Sequence, residues 1–222
     1  MVAKNKSKID WAKIDTVLLD MDGTLIDQYH EDIFWDKKVP AEYAKKHNIP
    51  IKEAYKILHN MYREKEGTME WGNLDFWEKK LGMDLWKIRY SMTHMIKMHP
   101  HTMRFLKFLK KQKKRVHLVT SAYPRDMNLK INIIGIANYF DSIHSETEVN
   151  VSKNEKAFWI RLNKIIKFDK KRTLLAENNK KVLMSAQAFG IKYLLLKSKY
   201  SSRKPAERSR EFICVHHFDD II

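Results

Sequence analysis

The sequence predicts an α/β fold in which a parallel β-sheet is interrupted by an all-helical segment. An apolar run, Val17–Leu19, ends at two carboxylates, Asp20 and Asp22, followed by Gly23, and short apolar runs bounded by a turn are typical of buried parallel strands. Residues 28–98 then show only helical spacing of apolar residues. Strand and helix patterns alternate again after this segment, which indicates a layered α/β architecture.

The composition predicts a folded chain with a basic surface. Of its 222 residues 44% are hydrophobic, and the formal net charge is +16, so one domain, or one domain with a smaller insert, can form a core. The lysines are scattered along the chain. We therefore expect attraction of small phosphorylated anions, with nucleic-acid binding as the less favoured alternative. The single cysteine, Cys214, excludes an intrachain disulfide, and no long apolar run is present. These features predict a cytoplasmic protein with no membrane partner.

The first strand, predicted at about residues 15–20, carries the strongest chemical signal. Side chains alternate along an extended chain, so Asp20 and Asp22 point to the same side. They lie at the carboxyl end of the strand, where open α/β sheets bind their ligands. Two carboxylates this close need a cation, and Mg²⁺ prefers oxygen ligands. One carboxylate can then attack phosphorus while the other handles the proton, and Gly23 permits the tight turn.

The segment that follows, residues 28–98, is predicted to be helical throughout. Apolar residues at helical spacing predict one helix over residues 51–62 and another over residues 74–81. Start and end signals agree with this interpretation. The predicted helix starts are Pro40, Pro50 and Asn73, and the predicted end is Gly82.

Alternation of helix and strand is predicted for the remainder of the chain. The predicted helices are 103–111, 124–134, 155–168 and 180–189; the predicted strands are 116–120, 140–144, 172–176 and 191–196; and residues 198–210 are predicted to be a surface loop.

Two of these elements carry further candidate site residues. Thr120 ends the strand 116–120, and its hydroxyl can hold a phosphoryl oxygen together with backbone N–H groups at the next helix start. Lys153 stands before the helix 155–168, where a cation can neutralise both a nucleophile and a phosphoryl group. Lys156 is the alternative for this role.

The first strand with Asp20-Met21-Asp22-Gly23-Thr24 resembles motif I of the haloacid dehalogenase (HAD) superfamily of aspartate-nucleophile phosphatases. The resemblance implies a three-layer, Rossmann-like core with a parallel sheet, formed by residues 1–27 and 99–222. Residues 28–98 would be the inserted all-helical cap, of the C1 type. Thr120 and Lys153 match motifs II and III, and Ser121 occupies a position where relatives often carry Asn.

The fourth motif departs from the family pattern. Relatives carry two acidic residues after this strand, whereas this chain carries Glu177 and Asn178. The resemblance implies that Mg²⁺ is the cofactor and that Asp20, Asp22, Glu177 and Asn178 hold it, Asp22 through its backbone carbonyl. It also implies that Gly23, Thr24 and Ser121 contact the substrate. Because Asn178 lacks a charge, we expect weaker metal binding than in relatives.

Further short matches lie at residues 74–77, 121–124, 172–174 and 189–193. With these matches, the chain resembles the bacterial GMP/IMP nucleotidase branch of the superfamily. This implies a phosphoric monoester hydrolase acting on purine nucleoside 5'-monophosphates through an aspartyl-phosphate on Asp20, with Asp22 as acid and base. The alternative is a catalytically weak or inactive binding or regulatory protein, because motif IV is altered. Aromatic residues of the cap could stack on a purine, although aromatics at helical spacing are more often core. They are Trp35, Tyr62, Trp71 and Trp77.

Overall fold

The protein forms one six-stranded parallel sheet in the order β3-β2-β1-β4-β5-β6. The computed structural model describes residues 9–222, so the first eight residues of the predicted core segment 1–27 lie outside the described residues. The parallel sheet and the alternation of strands and helices along the chain confirm the predicted α/β class. The strands are β1 (Thr16–Leu19), β2 (Arg115–Thr120), β3 (Ser142–Ser145), β4 (Thr173–Glu177), β5 (Tyr193–Lys197) and β6 (Ile213–Val215).

Ten α-helices connect and cover these strands within the described residues. They are α1 (Tyr29–Ile33), α2 (Val39–His47), α3 (Ile51–Lys65), α4 (Leu74–Leu81), α5 (Leu85–Ser91), α6 (Thr102–Lys111), α7 (Pro124–Ile134), α8 (Glu146–Val149), α9 (Lys156–Ile166) and α10 (Lys180–Phe189). A π-helical stretch, Phe34–Lys38, joins α1 to α2. No described helix is both long and apolar enough to cross a lipid bilayer.

Apolar side chains cover both faces of the sheet, which produces three layers. Along β1, Val17 and Leu19 pack into one hydrophobic cluster with α6 and α7. Leu18 points to the opposite face and packs into a second cluster with α9 and α10. Because every residue of β1 is buried, the strand consists only of residues that suit an interior, apart from Thr16 at its start. This explains why the run was recognisable in the sequence.

The position of β1 brings the site residues together. It lies between β2 and β4, with Leu19 in register with Leu118 on one side and with Ala176 on the other. The strand order therefore reverses direction at β1, since β2 continues the sheet on one side and β4 continues it on the other. Open α/β sheets bind their ligands at such a topological switch point. The residues that follow these strands meet at one edge of the sheet.

The helical segment has a core of its own. Ten buried side chains between Phe34 and Met92 form a third hydrophobic cluster, as the helical spacing predicts. Asn73 caps α4 by accepting a hydrogen bond from the backbone N–H of Phe76 at 3.0 Å. Gly82 ends the same helix with a φ of 60°, a left-handed conformation that favours glycine. The predicted start and end of α4 are confirmed.

The C-terminal part of the chain differs from the sequence-based expectation. The short edge strand β6 and the one-turn helix α8 were not predicted, because three or four residues are too few for a periodic signal. The loop 198–210 has no regular structure, but Ser198 and Ser201 within it are buried. Ser201 donates a hydrogen bond to Asp32 Oδ2 at 2.8 Å, so this loop packs against the start of the helical segment. Cys214 is partly exposed.

Candidate active site

Three strand ends place polar side chains around one cavity at the carboxyl edge of the sheet. Asp20 follows β1, Thr120 ends β2 and Glu177 ends β4. All three line a cavity of about 550 Å³ between the sheet edge and the helical segment. The structure thus brings these three predicted site residues to one cavity, and the parallel strands place them at the same edge of the sheet.

Lys153 connects two of these carboxylates from the loop before α9. Its Nζ lies 2.8 Å from Asp20 Oδ1, from Glu177 Oε2 and from the carbonyl oxygen of Val119. Lys153 is buried, whereas the alternative, Lys156, is exposed on the surface. Burial disfavours the ammonium, but Asp20 and Glu177 outweigh it and raise the pKa of Lys153. A permanent positive charge is therefore fixed beside Asp20.

Asp20 is buried and held in one orientation. The hydroxyl of Thr24 donates a hydrogen bond to Asp20 Oδ2 at 3.0 Å, and Lys153 binds the other oxygen. Burial and the neighbouring Glu177 raise the pKa of Asp20 to about 7, against the opposing effect of Lys153. The two carboxylates together carry more negative charge than the one lysine can balance.

The predicted metal ligands meet on the side of Asp20 away from Lys153. One end of the Asn178 side-chain amide lies 2.9 Å from Glu177 Oε1, 3.2 Å from the carbonyl oxygen of Asp22 and 3.3 Å from Asp20 Oδ2. Oxygen atoms of this kind suit Mg²⁺. The excess negative charge of Asp20 and Glu177 also favours a cation here. The four residues therefore fit the metal that the sequence resemblance implies, Asp22 through its backbone carbonyl.

The side chain of Asp22 turns away from this set and enters a buried ion-pair network. Lys130 Nζ lies 2.7 Å from Asp22 Oδ2, from Glu31 Oε1 and from Asp126 Oδ2. Arg89 binds Glu31 at 2.7 Å and Asp126 at 3.2 Å. Both cations are buried, and such ions persist in an interior only when paired.

His30 completes this network. Its Nε2 lies 3.4 Å from Asp22 Oδ1 and 3.1 Å from Glu31 Oε1, and its Nδ1 lies 2.7 Å from the carbonyl oxygen of Asp27. Burial disfavours the imidazolium, but Asp22 and Glu31 raise the pKa of His30 to about 9. In turn, burial opposes ionisation of Asp22, but Lys130 and His30 lower its pKa. With His30 protonated, three carboxylates face three cations.

Sequence reasoning missed this network for a physical reason. Lys130 and Asp22 are 108 residues apart, and Arg89 and Glu31 are 58 residues apart, so no local pattern connects them. The one local signal is the spacing of Asp126 and Lys130, an i,i+4 pair on α7. Asp22, His30 and Glu31 also lie close enough to bind a metal ion. However, their carboxylates are already paired with Lys130 and Arg89, so the oxygens around Asn178 suit a cation better.

The remaining predicted site residues have distinct surroundings. Thr120 lines the cavity, and its hydroxyl accepts a hydrogen bond from Ala122 N at 3.1 Å. Ser121 also lines the cavity, with its hydroxyl donating to Glu146 Oε2 at 2.9 Å. Gly23 and Thr24 are buried behind Asp20 and are not part of the cavity wall. The substrate contacts expected for Gly23, Thr24 and Ser121 stay predictions.

The aromatic side chains of the helical segment divide into core and cavity. Trp35, Tyr62 and Trp77 pack edge to face against one another, with ring centroids 5.1 to 6.1 Å apart. Tyr62 and Trp77 are buried. Trp71 also lines the cavity but is 44% exposed. Of the four aromatic candidates, Trp71 therefore has the most open face for a ligand.

Comparison with known proteins agrees with this geometry. Residues 14–190 match the family model of haloacid dehalogenase-like hydrolases, and the chain belongs to this family. It is 31% identical over 187 residues to the GMP/IMP nucleotidase YrfG of Escherichia coli (strain K12), which covers 84% of each chain. The same identity and coverage are found for YrfG of Shigella flexneri.

Solved structures share the fold at low sequence identity. The crystal structure of a HAD phosphatase from Thermococcus onnurineus superposes with a TM-score of 0.77 and 18% identity, covering 92% of this chain and 94% of that chain. A predicted phosphoglycolate phosphatase from Haemophilus somnus 129pt superposes with a TM-score of 0.66 and 16% identity, covering 91% and 94%. These structures confirm the predicted fold, and the family-model match confirms the predicted superfamily.

Proposed function

We propose that the protein is a Mg²⁺-dependent phosphatase that hydrolyses purine nucleoside 5'-monophosphates through an aspartyl-phosphate on Asp20. One observation carries the proposal: Asp20 lies at the cavity wall with one oxygen on Lys153 and the other facing the oxygens around Asn178. In this proposal residues 28–98 act as the cap, and the core consists of residues 1–27 and 99–222.

The chemistry assigned to the chain is a two-step transfer. A carboxylate oxygen of Asp20 attacks phosphorus, and the bond from phosphorus to the ester oxygen breaks. The leaving alkoxide takes a proton that passes from His30 through Asp22, so that Asp22 is again a carboxylate and His30 is neutral after this step. Water then attacks phosphorus and gives its proton to Asp22, from which it returns to His30. The bond to Asp20 breaks, and inorganic phosphate is released.

The remaining groups neutralise and position charge. Lys153 and Thr120 line the same cavity as Asp20, so the positive charge of one and the hydroxyl of the other act on a phosphoryl group attached to Asp20. Mg²⁺, when bound by Asp20, the Asp22 carbonyl, Glu177 and Asn178, supplies further positive charge for the transferring phosphoryl group. The buried Lys130 network fixes the side chain of Asp22.

A purine fits the part of the cavity that the helical segment forms. Trp71 offers an exposed aromatic face for stacking. Asp36 lines the same cavity and lies 3.2 Å from His59 Nε2. GMP and IMP share an N1–H donor and an O6 acceptor, so a carboxylate beside an imidazole suits both bases. AMP lacks that donor and matches this pair less well.

The decisive experiment compares hydrolysis of GMP, IMP, AMP and p-nitrophenyl phosphate by the wild type and Asp20→Asn, with Mg²⁺. We expect hydrolysis by the wild type and loss of turnover in the variant. Asp10→Asn is the matched control, because Asp10 is exposed and far from β1's carboxyl end. Equal rates for wild type and Asp20→Asn would leave only the binding or regulatory alternative.

The purine subsite has its own test. Trp71→Ala should raise the KM for GMP about tenfold, because stacking on one aromatic ring contributes on the order of 1–3 kcal/mol. The KM for p-nitrophenyl phosphate should change little. Tyr90→Ala is the control, because Tyr90 is also exposed but does not line the cavity. An equal rise in KM for both substrates would contradict stacking on Trp71.

A further inference from the structure

The side-chain amide of Asn178 is surrounded at one end by hydrogen-bond acceptors. This inner end lies within 3.3 Å of Glu177 Oε1, the Asp22 carbonyl oxygen and Asp20 Oδ2. When the amide nitrogen occupies it, the two hydrogens of the NH₂ group are shared among these three acceptor oxygens. When the amide oxygen occupies it, four oxygen atoms converge with no hydrogen between them.

At the inner end, each orientation fits one state of the site; the outer end faces hydrogen-bond donors, so the orientation with the nitrogen inward is favoured without a cation. A convergence of oxygens is unfavourable by itself, but it is the arrangement that a hard divalent cation requires. The inward nitrogen satisfies the same acceptors without a cation. The terminal torsion of asparagine has two wells about 180° apart, so the amide can exchange its two atoms while the backbone stays in place.

The negative charge around Asn178 favours this exchange of the amide nitrogen and oxygen. Asp20 and Glu177 face Lys153 as their single cationic side-chain partner in the described residues, so an amide nitrogen or a metal ion must provide further positive potential. Glu177 Oε1 also accepts hydrogen bonds from the backbone N–H groups of Asn178 and Asn179, each at 3.0 Å. These contacts fix Glu177 independently of the Asn178 side chain, so rotation of the amide leaves the other oxygens in place.

We propose that Asn178 is a two-state metal ligand: its amide nitrogen closes the site when Mg²⁺ is absent, and its amide oxygen turns inward when Mg²⁺ binds. The metal ion must therefore compete with the internal hydrogen bonds of this NH₂ group. A carboxylate at this position would add charge and could not form those hydrogen bonds. Asn178 thus lowers the affinity of the site for Mg²⁺, but it leaves the site without unpaired acceptors when the metal is absent. This inference deepens the proposed function, because it concerns the same site and cofactor.

The main test measures Mg²⁺ binding by isothermal titration calorimetry for the wild type, Asn178→Asp and Asn179→Asp. Asn179→Asp adds the same charge one residue away, where the side chain caps α10 by accepting from Lys181 N at 2.9 Å. Asp and Asn are comparable caps, so this control should fold normally. We expect at least about tenfold tighter binding for Asn178→Asp, and less than about threefold change for Asn179→Asp.

Thermal stability gives a second readout. Without metal, Asn178→Asp should melt below the wild type, because it replaces the hydrogen bonds of the amide NH₂ group by a carboxylate that faces oxygens. With saturating Mg²⁺ the order should reverse. The two-state proposal would be overturned if Asn178→Asp bound Mg²⁺ more tightly without a loss of stability in the absence of metal. It would also be overturned if the wild type and Asn178→Asp bound Mg²⁺ with equal affinity.

A measurement on the wild type keeps the proposal testable if Asn178→Asp does not fold. The side-chain NH₂ of Asn178, assigned by nuclear magnetic resonance, should be protected from hydrogen exchange without Mg²⁺ and should lose that protection on addition of Mg²⁺. Protection that Mg²⁺ does not change would refute the rotation. None of these readouts requires turnover. If they hold while Asp20→Asn matches the wild type in hydrolysis, only the proposed function fails.

Discussion

Replacement of Lys130 by methionine tests whether the network around Asp22 is held together by one buried cation. The Nζ of Lys130 contacts three carboxylates at 2.7 Å, those of Asp22, Glu31 and Asp126. Lys130→Met would leave three buried carboxylates facing only Arg89 and a protonated His30. Removing one partner from a buried ion pair costs about 3–5 kcal/mol, because an uncompensated charge remains. We therefore expect the free energy of unfolding to fall by about this amount.

The assay is urea denaturation at pH 7.5, with a thermal scan as a second measurement. For a chain of this size about 1 kcal/mol corresponds to about 2–4 °C, so the melting temperature should fall by about 6–20 °C. Lys180→Met is the matched control, because Lys180 also pairs with a carboxylate at 2.8 Å but is exposed at the surface. Its loss should stay below about 1 kcal/mol.

The pH dependence of the stability that Lys130→Met loses shows whether the cause is electrostatic. Lys130 helps to lower the pKa values of Asp22 and Glu31, so without it these pKa values should rise in the folded state. Folded Lys130→Met then binds more protons than its unfolded chain, so its free energy of unfolding falls as pH rises. The deficit relative to the wild type should be smaller at pH 5 than at pH 8. A deficit below about 1 kcal/mol, or one independent of pH, would refute the electrostatic argument.

Three further predictions concern single side chains. The free energy of unfolding of His30→Gln should be lower than that of the wild type by on the order of 3 kcal/mol at pH 6. Because the folded-state pKa of His30 is raised to about 9, this deficit should vanish as pH rises from 6.5 through 9. A deficit that denaturant titrations find to be independent of pH would contradict this. Thr24→Val removes the hydrogen bond to Asp20 Oδ2 at 3.0 Å and should lower kcat about tenfold with little change in KM, in steady-state assays with GMP; an unchanged kcat would show that Asp20 needs no support from Thr24. Asp36→Asn should reduce the preference for GMP over AMP in kcat/KM, and an unchanged ratio would remove Asp36 from base recognition.

Local patterns predicted the parts of the fold and site that depend on adjacent residues. The strand β1 and its carboxylates form one continuous run, so Asp20 was identifiable from the sequence. Lys153 was identifiable through its position before α9, although its contact with Asp20 spans 133 residues. The resemblance supplied that link. No local period could have supplied it, because three-dimensional proximity at the sheet edge depends on strand order.

The parts that were missed depend on long-range pairing of charges. Neither Arg89 nor Glu31 carries a local signal, since a charged residue on a helix is usually solvated. Both side chains are buried because α1 and α5 pack against α7 in the folded structure, where Arg89 binds Glu31 and Asp126. The same reason applies to the loop 198–210, whose polar composition suggested exposure. Ser201 and Lys204 from this loop instead bind Asp32, and these contacts cannot be inferred from composition.

The two carboxylates of the first motif therefore have opposite electrostatic surroundings, although they are two residues apart. Asp22 belongs to a network in which cations and carboxylates balance, and this balance keeps its pKa low. Asp20 belongs to a group with an excess of negative charge, and its pKa is raised to about 7. An additional cation is stabilising beside Asp20 and unnecessary beside Asp22. This difference gives a physical reason for the proposed division of roles, with the metal and the attack on phosphorus at Asp20 and the proton transfer at Asp22. It also gives Asn178 its importance, because its amide lies on the unbalanced side, where a single dipole can take the place of a cation.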